Sequence, residues 1–191
     1  MRKIKNFAMM MLVALTATLV FTSCDKDVVR AMDLSGEWEG DFGMKYSHSR
    51  YGVFNSYDTQ IVFYPDYEFA THGYGKQIDY YEDGPYEYRY HTFNWSVRNE
   101  VITLTYPGDH NLDVDIYDYS MSGNYFSGYF QNTNKHFRLK KIGEISWNGY
   151  SGNYDYHYRD GYDYYAKTRA AEDDASDAEV KSGNRFAEVD E

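Results

Sequence analysis

Six histidines, 30 acidic residues and one cysteine make up most of the reactive side chains in this 191-residue sequence. His48, His72, His91, His110, His136 and His157 stand singly, with no H-x-H or H-x-x-x-H spacing to turn two rings onto one metal. Asp113, Asp115 and Asp118 are spaced like part of a calcium loop, but the turn glycine and the terminal Glu are missing. Their alternation with Leu112, Val114 and Ile116 reads better as the wet face of a strand. Glycoside hydrolysis needs two carboxylates held across a bond, and nothing singles out a pair among so many acids. There is no G-x-S-x-G elbow and no G-x-x-x-x-G-K-[ST] phosphate loop. The expectation is therefore no catalytic residue, no metal and no cofactor.

Aromatic side chains are the more suggestive stock: Tyr occurs 23 times, and Phe, Trp and Tyr together reach 19% of the chain. Exposed tyrosines stack on sugar rings and anchor protein interfaces, because a large rigid ring is ordered at little entropic cost. Two Tyr-rich stretches surround turn signals, one at Asp83-Gly84 and one at Asp160-Gly161. Tyr80, Tyr81, Tyr88, Tyr156, Tyr162 and Tyr164 flank these turns and are the candidate ligand-binding residues. Trp38, Trp95, Phe63 and Phe93 read as core.

The elements that must position them are strands. Trp38, Gly40, Phe42, Met44 and Tyr46 alternate with Glu37, Glu39, Asp41 and Lys45. Thr59, Ile61 and Phe63 do the same before Pro65-Asp66. A further strand is expected over residues 67–71, ending in Gly73 and Gly75. His91, Phe93, Trp95 and Val97 share a face, and Asn99-Glu100 turns the chain into Val101–Tyr106. Pro107-Gly108-Asp109 is a turn, after which Leu112, Val114 and Ile116 point inward. Phe126, Gly128 and Phe130, then Phe137 and Leu139, complete the set. About eight short strands with no convincing helix between them imply an all-β, antiparallel up-and-down meander. Closure into a barrel would hide its edges, with a sandwich as the other architecture.

Met1-Arg-Lys-Ile-Lys5 is a basic start, and Phe7 to Phe21 is apolar but for Thr16 and Thr18. Such a run is short for a bilayer span. Thr22 and Ser23 then precede Cys24. This resembles the signal and lipobox of bacterial lipoproteins. That resemblance implies removal of residues 1–23, acylation of Cys24 by chains such as palmitate, and anchoring without spanning. Residues 24–33 then read as a lipidated tether.

Leu34-Ser-Gly36-Glu-Trp38-Glu-Gly40 looks like the Gly-x-Trp opening of lipocalins. With Ile61-Val-Phe63, Phe93-Asn-Trp95, Val101-Ile-Thr-Leu104 and Phe137-Arg-Leu139-Lys140, it resembles the small lipocalin-like lipoproteins of Bacteroidetes. The resemblance covers residues 34–142 and implies a lipocalin-like barrel. It also implies a barrel floor in which Arg138 packs over Trp38, although strict alternation turns Arg138 away from the Phe137 and Leu139 face. Residues 143–167 read as a Tyr-rich hairpin or extension, and 168–191 as a disordered acidic tail.

The formal net charge is −11, and without Arg2, Lys3 and Lys5 of the signal it is near −14. So acidic a body does not suit nucleic acid, which needs a basic face. The expected protein is an envelope lipoprotein, in the outer membrane and at the surface. It would bind a glycan or lipid at the barrel mouth and Tyr-rich hairpins, or act through those hairpins as a protein-interaction, assembly or inhibitor module. An apolar pocket of several hundred Å³ would favour the small ligand. An aromatic-filled barrel beside exposed tyrosines would favour the interaction module.

Overall fold

Period-two alternation becomes a closed sheet. The structure is a computed structural model and describes residues 26–48, 51–131, 133 and 135–159. Its strands are β1 (Gly36–Asp41), β2 (Lys45–His48), β3 (Gly52–Pro65), β4 (His72–Tyr81) and β5 (Tyr86–Arg98). They continue as β6 (Val101–Thr105), β7 (Val114–Ser122), β8 (Tyr125–Phe130), β9 (His136–Lys141) and β10 (Tyr154–Tyr158). Antiparallel pairing runs β3-β4-β5-β6-β7-β8-β9-β1, and β1 pairs back onto β3. Eight strands thus close an up-and-down barrel, while β2 and β10 lie outside the ring. The expected all-β barrel is the observed one.

Inward side chains fill the lumen. Trp38 (β1), Phe63 (β3), Phe93 (β5), Phe126 (β8) and Phe137 (β9) are all at most 2% exposed. Their rings pack on one another inside the barrel: Trp38 to Phe126 at 5.6 Å, Phe63 to Phe93 at 5.3 Å, Phe126 to Phe137 at 4.9 Å, and Phe63 to Phe126 at 6.4 Å. At these separations tilted aromatic pairs are in contact, and each ring also removes a large apolar area from water.

Three expectations are corrected. Residues 26–33, read as part of a tether, are helical, and the helix runs on through Leu34, read as the opening of the barrel. Asp27, Ala31 and Leu34 fall on one helical face and are buried. A patch of three residues in so short a segment is too brief to read as a period. The Asp27 carboxylate accepts from the backbone N–H of Asn99 (2.8 Å) and of Glu100 (3.0 Å). Both turn residues have positive φ, 51° and 66°, as a tight two-residue hairpin requires. The helix therefore caps the barrel and fixes the β5–β6 turn.

The strand expected at residues 67–71 is a turn, closed by Ala70 N–H donating to the Tyr67 carbonyl at 3.0 Å, with Phe69 at φ 65°. Its alternating aromatics imitate a strand but face solvent. The real strand, β4, begins at His72 and contains the glycines expected to end it. They are there because the Phe93 ring presses on the β4 backbone at Gly75, and at Gly73 the Tyr64 carbonyl and the Trp95 indole N–H leave no room for a Cβ. A Cβ on Gly75 would run into the Phe93 ring and come within 2.5 Å of the Val62 carbonyl.

Arg138 does not pack over Trp38. Trp38 is in register with Lys141, and Arg138 with Asp41. Residues of one parity share a face, so Arg138 points outward and lies 3.9 Å from the centre of the Tyr125 ring. Lys141 Nζ instead stands 5.0 Å over Trp38, whose Nε1 donates to the Leu34 carbonyl at 2.8 Å.

Gly75→Ala is expected to lower stability by about 1–3 kcal/mol through overpacking against Phe93. Urea unfolding followed by tryptophan fluorescence checks it. The double variant with Phe93→Leu should recover part of the loss, and no recovery would place the strain elsewhere.

Candidate functional site

Unequal strand lengths open one end of the barrel. β6 pairs only with Asn94–Arg98 of β5, and β1 only with Thr59–Phe63 along with Gly36–Gly40 of its own. The leading half of β5 and of β3 would be left as bare edges. β10 fills the first, pairing Tyr154–Tyr158 with Tyr86–His91, and β2 fills the second, pairing with Gly52–Asn55. The result is a flared sheet, β2-β3-β4-β5-β10, in which the two Tyr-rich stretches lie side by side. The segment expected as a hairpin or extension is, over its described residues, an extension.

The link from β9 to β10 crosses the outside of this wall. Ile145 N–H and Trp147 Nε1 donate to the Glu37 carboxylate at 2.6 and 3.0 Å. Tyr150 then stacks on Tyr90, with centroids 5.3 Å apart, and meets Tyr88 edge-on at 5.2 Å. The Asn153 carbonyl accepts from Thr92 N–H at 3.0 Å. At the far end of β10, Arg159 Nη2 donates to the Tyr81 carbonyl at 2.5 Å and pins the strand to the β4–β5 turn.

On the inner side the mouth is lined by tyrosines. Tyr46 touches Tyr81 at 4.7 Å and Tyr86 at 5.0 Å, and Tyr86 touches Tyr156 at 5.1 Å and Tyr158 at 4.9 Å. Below them sits a band of buried polar groups. The Asp79 carboxylate is fully buried and accepts from Thr59 Oγ1 at 2.8 Å and from Gln77 Nε2 at 2.9 Å. Gln77 Oε1 in turn accepts from the Tyr106 hydroxyl at 2.6 Å.

Arg89, in register opposite Asp79, stands 5.6 Å from the Tyr46 ring centre and 5.3 Å from that of Tyr154. Burial works against the charge of its guanidinium, but the neighbouring Tyr154, Tyr81 and Asp79 outweigh that and raise its pKa. Its Nε is buried with no hydrogen-bond partner among the described residues. A cation fixed under aromatic rings and only 3% exposed, opposite a carboxylate already holding donors, braces the tyrosine cluster from below.

The candidate tyrosines separate onto two faces. Tyr81 and Tyr156 belong to the mouth, the first buried and the second 42% exposed. Tyr80 and Tyr88 are cross-strand partners on the outer wall, half-buried by the crossing link. The Tyr80 hydroxyl donates to Gln60 Oε1 at 3.3 Å. Tyr162 and Tyr164, like Cys24, lie outside the described residues. Of the acids considered for calcium, Asp113 accepts from Tyr106 N–H and Asp115 from Thr103 Oγ1, both at 2.6 Å.

Arg89, Asp79, Gln77, Tyr46 and Tyr86 were not legible as site residues. Only the parity of Arg89 with His91 and Phe93 on one strand could have placed it indoors. Comparison of the chain with protein-family models, curated proteins and solved structures returns no match.

Two outcomes follow from this geometry. Asp79→Ala leaves Thr59 and Gln77 donors unmet and removes the carboxylate facing Arg89, an expected loss of about 2–4 kcal/mol in urea unfolding. Asp79→Asn, which keeps the shape, is expected to cost less. The second concerns pH. Burial, followed by the charge of Asp79, holds the Tyr81 hydroxyl well above its ordinary 10.0. Burial and the bond to Tyr158 do the same for Tyr86. A raised folded-state pKa contributes stability that is complete below the unfolded value and is lost as pH rises past it. Stability is therefore expected to hold up to about pH 10 and fall above it. Absorbance at ~295 nm should show a class of tyrosines that ionises only as the fold is lost.

Proposed function

We propose that the protein is a non-enzymatic binding protein of a bacterial envelope, related to lipocalin-like lipoproteins of Bacteroidetes. Its signal (residues 1–23) is removed, Cys24 carries acyl chains such as palmitate, and the body is held at the outer membrane facing the surroundings. Its ligand is an extended glycan, received on the tyrosine-rich flared end. The observation that carries this reading is the β5–β10 pairing, which joins two distant Tyr-rich stretches into one aromatic cluster over Arg89. Sugar rings present flat C–H faces to aromatic rings and hydroxyls to polar groups. Asp79, Gln77 and Arg89 lie beneath the mouth rings, while Asp155 and His157 border Tyr90 and Tyr88 on the outer face of the same strands. Inward aromatic side chains packed on one another and at most 2% exposed favour a ligand on this surface over an acyl chain inside the barrel.

A protein partner is the second reading. The filled lumen also favours it, as does the position of β10, which pairs with β5 and with no other described strand. An extended peptide can add to such an edge.

A glycan array probed with residues 25–191 tests the first reading. Tyr156→Ala is expected to weaken binding about tenfold, the loss of a modest hot spot of roughly 1.4 kcal/mol. Tyr129→Ala, on the opposite wall, should leave it unchanged. Equal binding by both variants, or none by the parent chain, would sink the glycan reading. Recovery of one envelope protein by cross-linking through β10 would then support the second. Independently, Cys24→Ser is expected to abolish palmitate incorporation and to leave the signal attached, read as a slower-migrating species after metabolic labelling.

A further inference from the structure

The two ends of the barrel differ in a way that acylation of Cys24 would turn into an orientation. The end opposite the tyrosine mouth carries the helix over residues 26–34, the turn over 66–71, and the short β5–β6 and β7–β8 turns. The inner face of the helix is committed to the barrel through Asp27, Ala31 and Leu34. On its outer face Val29 is 57% exposed and Met32 51%, one helical turn apart. At the same end the 66–71 turn projects Tyr67 at 63% and Phe69 at 56% exposure. Phe69 sits at φ 65°, a left-handed conformation unusual for a bulky residue, so the turn holds this ring out in water rather than folding it in.

We propose that this end rests on the membrane, with Val29, Met32, Tyr67 and Phe69 seated at the lipid headgroup level and the tyrosine mouth directed away. The proposal rests on the acylation of Cys24 proposed above. Cys24 stands two positions before Lys26, the first described residue of the helix, and two residues of chain reach at most ~7 Å. A lipid on Cys24 therefore brings the helix to the bilayer surface whatever the barrel does, and the nearest exposed side chains are apolar. Aromatic and apolar residues with polar neighbours are the kind that settle at a membrane interface.

The basic side chains of the helix are met by an acid of the same end. Lys26 and Arg30 reach the Glu100 carboxylate at 3.6 and 3.2 Å, and His72 lies 3.4 Å from Asp66. Docking would then depend little on anionic lipid. The tyrosine mouth, at the other end of the strands, would be presented to a ligand rather than covered.

Because acylation consumes the only natural thiol, an introduced cysteine is the single labelling site. The full chain bearing Met32→Cys, Phe69→Cys or Tyr156→Cys would be produced in lipidated form and labelled with an environment-sensitive fluorophore. It would then be reconstituted into phosphatidylethanolamine–phosphatidylglycerol vesicles containing headgroup-level nitroxide lipid. Probes at 32 and 69 are expected to shift to the blue and to be quenched at least twofold more than the probe at 156. That contrast should persist in vesicles of neutral phosphatidylcholine. Equal, water-like emission at all three positions in a chain shown by mass to carry lipid would overturn the orientation and leave the anchor standing. A chain whose Cys24 takes up no lipid would overturn the anchoring reading and this proposal with it.

Discussion

Closure of the barrel hangs on β1. This six-residue strand is hydrogen-bonded to β9 on one side and β3 on the other, so it makes the seam of the ring by itself. The seam is tight: at Gly40, with φ 146°, a Cβ would come within 2.7 Å of the Arg138 carbonyl. Because β1 is short, it can seal only one half of the fourteen-residue β3. The same arithmetic applies to five-residue β6 against thirteen-residue β5. A closed barrel at one end and a splayed sheet at the other follow directly. Local patches, β2 and β10, must then satisfy the backbone groups that the ring leaves over.

The splay places the polar band where it is found. The lower lumen is apolar and ring-packed, while the mouth is closed by tyrosines, Tyr46, Tyr81 and Tyr86 buried and Tyr156 reaching water. Between them, a carboxylate and a guanidinium on opposed residues of β4 and β5 sit where neither water nor hydrocarbon dominates. A one-residue slip of β4 on β5 would send Gln77 and Asp79 outward and bring Ile78 in while Arg89 kept its side, breaking the hydrogen bonds of the band. Buried polar groups that are satisfied in only one alignment disfavour the others, and here they stand where the aromatic core no longer sets the register.

Much of the barrel was legible in the sequence, for a physical reason. Strands with one wet face alternate strictly, and Trp38, Phe63, Phe93, Trp95, Phe126, Phe137 and Leu139 all lie on the faces that alternation assigns them. The misses lie where the deciding partner is remote. Gly73 and Gly75 looked like strand breakers because local propensity is blind to rings on the next strand that press on the backbone. The helix was missed because its three inward residues gain their meaning from the barrel end they cap. The Trp38–Arg138 pairing failed on parity: in an antiparallel ladder the residue that shares the Trp38 face is its register partner, Lys141.

The tyrosine surplus shows the same division. Composition announces that many rings exist but not which of them meet. Tyr80 and Tyr81 are adjacent in sequence, yet the pleat sends one beneath the outer link and the other into the mouth. Tyr81 and Tyr156 are 75 residues apart and share a cluster. What joins them is a bare edge on β5, created by the shortness of β6 and satisfied by a strand from beyond the barrel. The aromatic cluster at this end therefore depends on a length mismatch between two core strands. The mismatch gathers Tyr46, Tyr86 and Arg89 as well as Tyr81 and Tyr156, whatever their distance in sequence from the Asp83-Gly84 turn.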